Sequence, residues 1–187
     1  MIHLKYAGLI LLLIFATSSD EFGTEIGGKI DTFNGVHVYF NGKDIANVVG
    51  RNVTDDGYNL GLKYQCVEFV KRYYLQALGH KMPHAFGHAK DFFDKSLPDS
   101  AFNTKRGLMQ YRNAREYQPQ VNDLLVYDSD GSNRFGHVAI VSAVTDDDVE
   151  LVQQNMGLKT RIRLPLVHFY HYWTVADYHI LGWLRKE

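Results

Sequence analysis

Apolar residues recur with helical spacing in the first half of the chain and with strand spacing in the second. After Cys66, the positions Val67, Val70, Tyr74 and Ala77 lie three and four residues apart, which predicts an amphipathic helix that Gly79 ends as a C-cap. A second helix is predicted over 85–95, with Ala89, Phe92 and Phe93 apolar and Leu97-Pro98-Asp99 as its stop. From Tyr117 onward the pattern becomes short alternating runs, predicting strands over 121–127, 137–144, 149–153, 161–166 and 178–184. Asp128-Ser129-Asp130-Gly131 and Asp146-Asp147-Asp148 supply turns between them. The expectation is an α+β fold, with helices followed by an antiparallel sheet of about five or six strands.

The first residues follow a third pattern. His3 and Lys5 precede a run of ten residues from Ala7 to Ala16, apolar almost throughout, and then Thr17, Ser18 and Ser19. This reads as a secretory signal peptide over 1–18, with the mature domain over 19–187, and so as a secreted or periplasmic protein. The run is shorter than the roughly 20 apolar residues of a spanning helix, so no stable membrane span is expected once it is removed.

A chain of 187 residues with 45% hydrophobic and 22% charged content suits one core. Its formal net charge of -1 lacks the basic footprint that a phosphate backbone requires, so nucleic acid is not an expected partner.

An exported chain with one cysteine builds no internal disulfide, and Cys66 is either an inert core thiol or kept for chemistry. Composition favours the core thiol, and its place weighs toward chemistry: it opens the helix and stands outside the middle of the apolar stripe. There the positive end of the helix dipole and a neighbouring imidazolium stabilise a thiolate. His137 begins the strand Val138-Ala139-Ile140-Val141, 71 residues later, and offers the base. A third polar group must orient the ring, and Gln153 and Asn155 follow His137 by 16 and 18 residues across a hairpin. Alternation along one strand puts both on the same face.

The segments Gln65-Cys66-Val67-Glu68-Phe69, Gly136-His137-Val138-Ala139-Ile140-Val141 and Val152-Gln153-Gln154-Asn155 resemble the CHAP family of cysteine, histidine-dependent amidohydrolases and peptidases, papain-like in fold. Within it the chain is most similar to the amidase half of glutathionylspermidine synthetase/amidase, over almost everything after the leading segment. The resemblance implies Cys66 as nucleophile, His137 as general base and acid, and Gln153 as the third member where that amidase has a glutamate. A glutamine oxygen accepts the imidazole hydrogen bond but gives the imidazolium no charge partner. Asn155 matches a family asparagine that shares the orienting role or contacts substrate. Lys71 stands where the amidase has an active-site arginine, keeping the charge and losing the bidentate fork.

The implied reaction is amide hydrolysis through a thioester, with no cofactor. The oxyanion would be held by the Cys66 N–H together with Gln65 or a residue of the loop from Tyr58 to Tyr64. The expected partner is an amide or peptide substrate, either peptidoglycan or a glutathione–polyamine conjugate; Gln65, Lys71 and Tyr58 are its candidate contacts. The competing reading is a CHAP-like module that binds peptide or polyamine without cutting it. His80, His84 and His88 recur every four residues, but Pro83 and Gly87 break the helix that a metal face needs, and no metal is assigned.

Overall fold

The computed structural model describes residues 24–187, so the expected signal segment lies outside the described residues. The chain opens with two hairpins, β1 (Lys29–Phe33) with β2 (Val36–Tyr39) and β3 (Arg51–Val53) with β4 (Asn59–Leu62). Asn34 and Gly35 close the first with φ of 47° and 78°, the paired left-handed residues that match the twist of a two-residue hairpin. Then come α1 (Cys66–Leu78), a single 3-10 turn at Ala89–Phe92, and eight strands. These are β5 (Ala101–Asn103), β6 (Leu108–Arg112), β7 (Leu124–Tyr127), β8 (His137–Val144), β9 (Asp148–Val152), β10 (Arg161–Phe169), β11 (Tyr172–Val175) and β12 (Ile180–Arg185). They form one sheet in the order β11-β10-β9-β8-β7-β12-β6-β5, every neighbouring pair antiparallel.

The expected α+β arrangement, with several helices on a sheet of five or six strands, is therefore corrected: the described fold is mostly β, with one α-helix and an eight-stranded sheet. The helix expected over 85–95 fails because Gly87 sits at φ 115°, and Phe93 is already extended at φ -96° and ψ 122°. One 3-10 turn is enough to bury Ala89 and Phe92, with Phe93 buried just after it. The strands missed in the sequence, β1 to β6 and β11, run three to five residues each and lie in the two hairpins or toward the ends of the sheet, whereas β7 and β9, equally short, lie in its middle and are mostly buried.

The sheet curls on itself and separates two cores. On one face α1 and the β1–β2 hairpin cover Val126, Val138, Ile140, Val152 and Leu184, packing Phe69, Val70, Tyr73 and Tyr74 against them. Inside the curl lie Leu125, Ala139, Val141, Leu151, Leu166, Val175 and Trp183. Closure comes from edge strand β11 meeting the segment after β6. Trp173 donates its N–H to the Arg115 carbonyl at 2.7 Å, and the Asn113 side chain bonds both backbone groups of Val175 at 2.9 and 3.0 Å.

Helix α1 ends as expected at Gly79, in the left-handed conformation with φ 61°. Its N–H reaches Leu75 O at 3.1 Å and that of His80 reaches Tyr74 O at 2.9 Å, satisfying carbonyls the helix leaves open. At the other end the helix is buried between β4 and the sheet, so its first residue points into the protein.

Candidate active site

Three segments converge at the start of α1. Gln65 is the N-cap, extended at φ -80° and ψ 159°, and Cys66 follows it with only 8% of its surface exposed. The thiol accepts the backbone N–H of Val138, the residue after His137, so the helix start meets the start of β8. Burial nevertheless pushes the thiol up to about 11, against the smaller downward pull of the N–H groups of Val138, Val67 and Cys66 itself.

His137 is aimed by the turn before it. Gly136 has φ 71°, and a Cβ there would come within 2.5 Å of Tyr127 O and 2.9 Å of the Lys90 Cβ. Only glycine fits this crossing, which sets the entry of β8 beside the end of β7. The imidazole Nε2 lies 3.1 Å from Gln153 Oε1, and the Gln153 Nε2 donates to Lys159 O at 3.0 Å. A carbonyl only accepts, so the Lys159 contact requires the amide nitrogen on that side and turns the amide oxygen toward the ring. Nε2 of His137 is then the protonated nitrogen, and Nδ1 carries a free lone pair. Burial holds the imidazole down to about 4, with the Gln153 bond opposing it. Both partners are thus neutral at rest around pH 7, in place of the thiolate–imidazolium pair that the sequence pattern suggests. No hydrogen bond joins them directly among the described residues; the Val138 amide stands between their elements.

Gln153 and Asn155 do not share a face. Strand β9 ends at Val152, and Asn155 takes a left-handed conformation at φ 69°, so strand alternation stops before either side chain. Asn155 turns away from His137. Its Nδ2 donates to Gln65 Oε1 at 2.6 Å and Ile45 O at 2.9 Å, and its Oδ1 accepts from Asn41 Nδ2 at 2.8 Å. Gln65 Nε2 is likewise occupied, donating to Asn47 O at 2.8 Å and Ile45 O at 3.1 Å. Gln65 and Asn155 together anchor the segment from Asn41 to Asn47 beside the nucleophile.

Between them lies a residue to which the sequence reading assigns no role. Gln154 Nε2 donates to Gln65 O at 3.0 Å and Glu68 Oε2 at 2.9 Å, while its Oε1 accepts from Tyr39 N at 2.8 Å and Arg72 Nη2 at 3.3 Å. Glu68 and Arg72 form a buried ion pair at 2.6 Å, one helical turn apart. The run of three amides, Gln153-Gln154-Asn155, was the available signal, and it names no partner for any of them.

Tyr58 and Lys71 form a separate group. Lys71 is fully buried; its Nζ donates to Asn59 O and Ala85 O and lies 4.8 Å from the centre of the Tyr58 ring. Desolvation, then Arg106 and Arg51, push it down to about 8. Arg106, also buried, donates to His84 O at 2.8 Å and to Phe86 O and Asp91 O at 3.3 and 3.0 Å. Of the spaced histidines, His80 bonds Arg106 O at 2.8 Å, His84 bonds Phe86 O at 3.2 Å, and His88 packs on Phe135. Among the described residues no three His, Cys, Asp or Glu side chains converge as a metal site, and no helix is long and apolar enough to cross a membrane.

The CHAP domain family matches residues 55–155, the stretch that carries Cys66, His137, Gln153 and Asn155. The chain is similar to a trypanothione synthetase of Crithidia fasciculata, 30% identical over 155 residues, which are 80% of this chain and 23% of that protein. It thus spans less than a quarter of that relative's length. A likeness to the crystal structure of Ly7917 covers 66% of this chain and 53% of that one, at 14% identity and a TM-score of 0.37.

Proposed function

Because this chain belongs to the CHAP domain family of cysteine, histidine-dependent amidohydrolases and peptidases, we propose that it hydrolyses an amide bond through a thioester on Cys66. The observation that carries the reading is the Gln153 amide, held by Lys159 O so that His137 keeps Nδ1 unprotonated, while the next residue, Val138, bonds the Cys66 thiol. A neutral thiol and a neutral imidazole make a general-base pair: the proton moves as the bond forms. The thiol side chain rotates from the Val138 amide toward Nδ1 when substrate enters. Sγ then attacks the carbonyl carbon, Nδ1 takes the thiol proton, and the carbonyl electrons move to oxygen, where the Cys66 N–H meets them. Collapse expels the amine, which leaves with the proton from His137. Water, deprotonated by His137, attacks the thioester and frees the thiol and a carboxylic acid.

Two substrate classes are in play. Similarity to a protein named for trypanothione supports a glutathione–polyamine conjugate. The apolar run at Ala7–Ala16 supports export, where peptidoglycan is the amide polymer met first. Incubating the chain and a Cys66→Ala variant with glutathionylspermidine and, separately, with purified sacculi decides between them. Release of spermidine or of wall peptides by the native chain alone is the expected result, and cleavage surviving in the variant removes Cys66 from the reaction.

A second reading, a module that binds such a ligand without cutting it, is favoured by the buried thiol held up to about 11. Equal binding by both proteins with no product from either establishes it.

A further inference from the structure

We infer that Gln154 is a positioning residue that aims the backbone N–H of Cys66 at the reacting carbonyl; this rests on the hydrolase reading above. The side chain is 1% exposed, and both hydrogens and both lone pairs of its amide are used, by Gln65 O, Glu68, Tyr39 N and Arg72.

The bond to Gln65 O matters most. That oxygen already accepts the first helical bond, from Phe69 N at 3.2 Å, and Gln154 adds a second donor at 3.0 Å. Gln65 C=O and Cys66 N–H belong to one planar trans peptide group, so they point in opposite directions. With one donor the group can rock about its neighbouring bonds. With two, its plane is set, and so is the direction of the Cys66 N–H. An oxyanion donor acts only if it is aimed before charge develops. Gln154 is also the next residue after Gln153, which holds the base, so consecutive side chains keep the oxyanion donor and the imidazole in register.

The test compares two substitutions with the native chain and Cys66→Ala, on whichever of glutathionylspermidine or sacculi the native chain cleaves. Gln154→Met keeps the length and removes all four bonds. It is expected to lower kcat by roughly 100-fold with KM changed by no more than about twofold, the pattern of an interaction made in the transition state. Gln154→Glu keeps the acceptor toward Tyr39 N and sets a carboxylate against Glu68, so one of the two takes up a proton readily. Once protonated, the new side chain has one O–H in place of two amide hydrogens, and aiming is restored as that O–H goes to Gln65 O, Glu68 keeping Arg72 and Asn52 as its donors. Its kcat, relative to that of the native chain, therefore rises as pH falls from 8 toward 5 (roughly the span over which paired carboxylates titrate).

Native kcat in Gln154→Met overturns the inference. So does an equal loss in both variants at every pH, which is plain structural damage. If Gln154→Met does not fold, the acid rescue of Gln154→Glu decides alone. If the native chain binds these substrates and cleaves neither, the hydrolase reading has failed, and in that case, or where neither is bound, the aiming is read from the Cys66 amide resonance in Gln154→Glu. A shift with at least about tenfold faster hydrogen exchange supports it, and an unchanged amide overturns it.

Discussion

Replacing Gln153 by glutamate places a full negative charge where the His137 ring now donates to a neutral oxygen at 3.1 Å. In the native protein burial holds that imidazole down to about 4. With an effective dielectric of about 20, a carboxylate at this range attracts the imidazolium by about 4 kcal/mol, or roughly three pH units at 1.4 kcal/mol each. The native glutamine oxygen already supplies part of this, its bond opposing the effect of burial. A hydrogen bond of about 1–2 kcal/mol is therefore to be subtracted, leaving a rise of about two pH units, while the new carboxylate oxygen that faces Lys159 O costs stability without moving the titration. The acid limb of kcat/KM reports the base of the free enzyme, so it should move from near pH 4 in the native chain to roughly pH 6 in Gln153→Glu. An NMR titration of the His137 ring measures the same shift without substrate. Limbs and ring titrations that coincide within about half a unit would refute the pairing of His137 with Gln153 in the working protein.

Other substitutions test the scaffold. Gly136→Ala forces a Cβ to within 2.5 Å of Tyr127 O at φ 71°, and denaturant unfolding should show a loss of about 2–4 kcal/mol; a variant as stable as the native chain contradicts the clash. His137 titrates near 4 when folded, below the ordinary 6.5, so as pH falls the unfolded chain takes up its proton first. The stability contributed by the neutral ring is complete above pH 6.5 and lost on the way down to about 4, by up to about 3 kcal/mol. His137→Gln should unfold with a correspondingly flatter pH dependence over that window, and identical slopes would show that the ring is not buried in solution. Asn155→Ala strands Gln65 Oε1, at about 1 kcal/mol or more, and takes one of two partners from Ile45 O, which keeps Gln65 Nε2, and from Asn41 Nδ2, which keeps Asn47 O. It should speed limited proteolysis between residues 41 and 49 while leaving the acid limb in place; a shifted limb would mean that Asn155 orients the ring.

The chemistry-bearing residues were legible because they are local events. A lone cysteine ahead of a helical stripe, a glycine before a histidine, and a turn before three amides are each visible within a few residues. Helix α1, its Gly79 cap and strand β8 lie where the periodicity places them for the same reason. Which amide meets the ring was not legible in the spacing, and only the family resemblance pointed to Gln153. Gln153 and Asn155 differ only in where β9 stops, and a strand ends through hydrogen bonds to neighbours distant in sequence. The state of the thiol and imidazole was hidden likewise, because desolvation depends on what covers a group: sequence spacing suggests a charged pair, and packing leaves a neutral one. The balance of helix and strand went the same way. Hydrophobic runs mark the buried strands β7, β8 and β9, whereas the short strands of the two hairpins and of the sheet margins exist only through the partners they pair with. A side chain's identity and its near neighbours are written along the chain; its solvent, its partners and its charge come from other strands and loops that the fold brings against it.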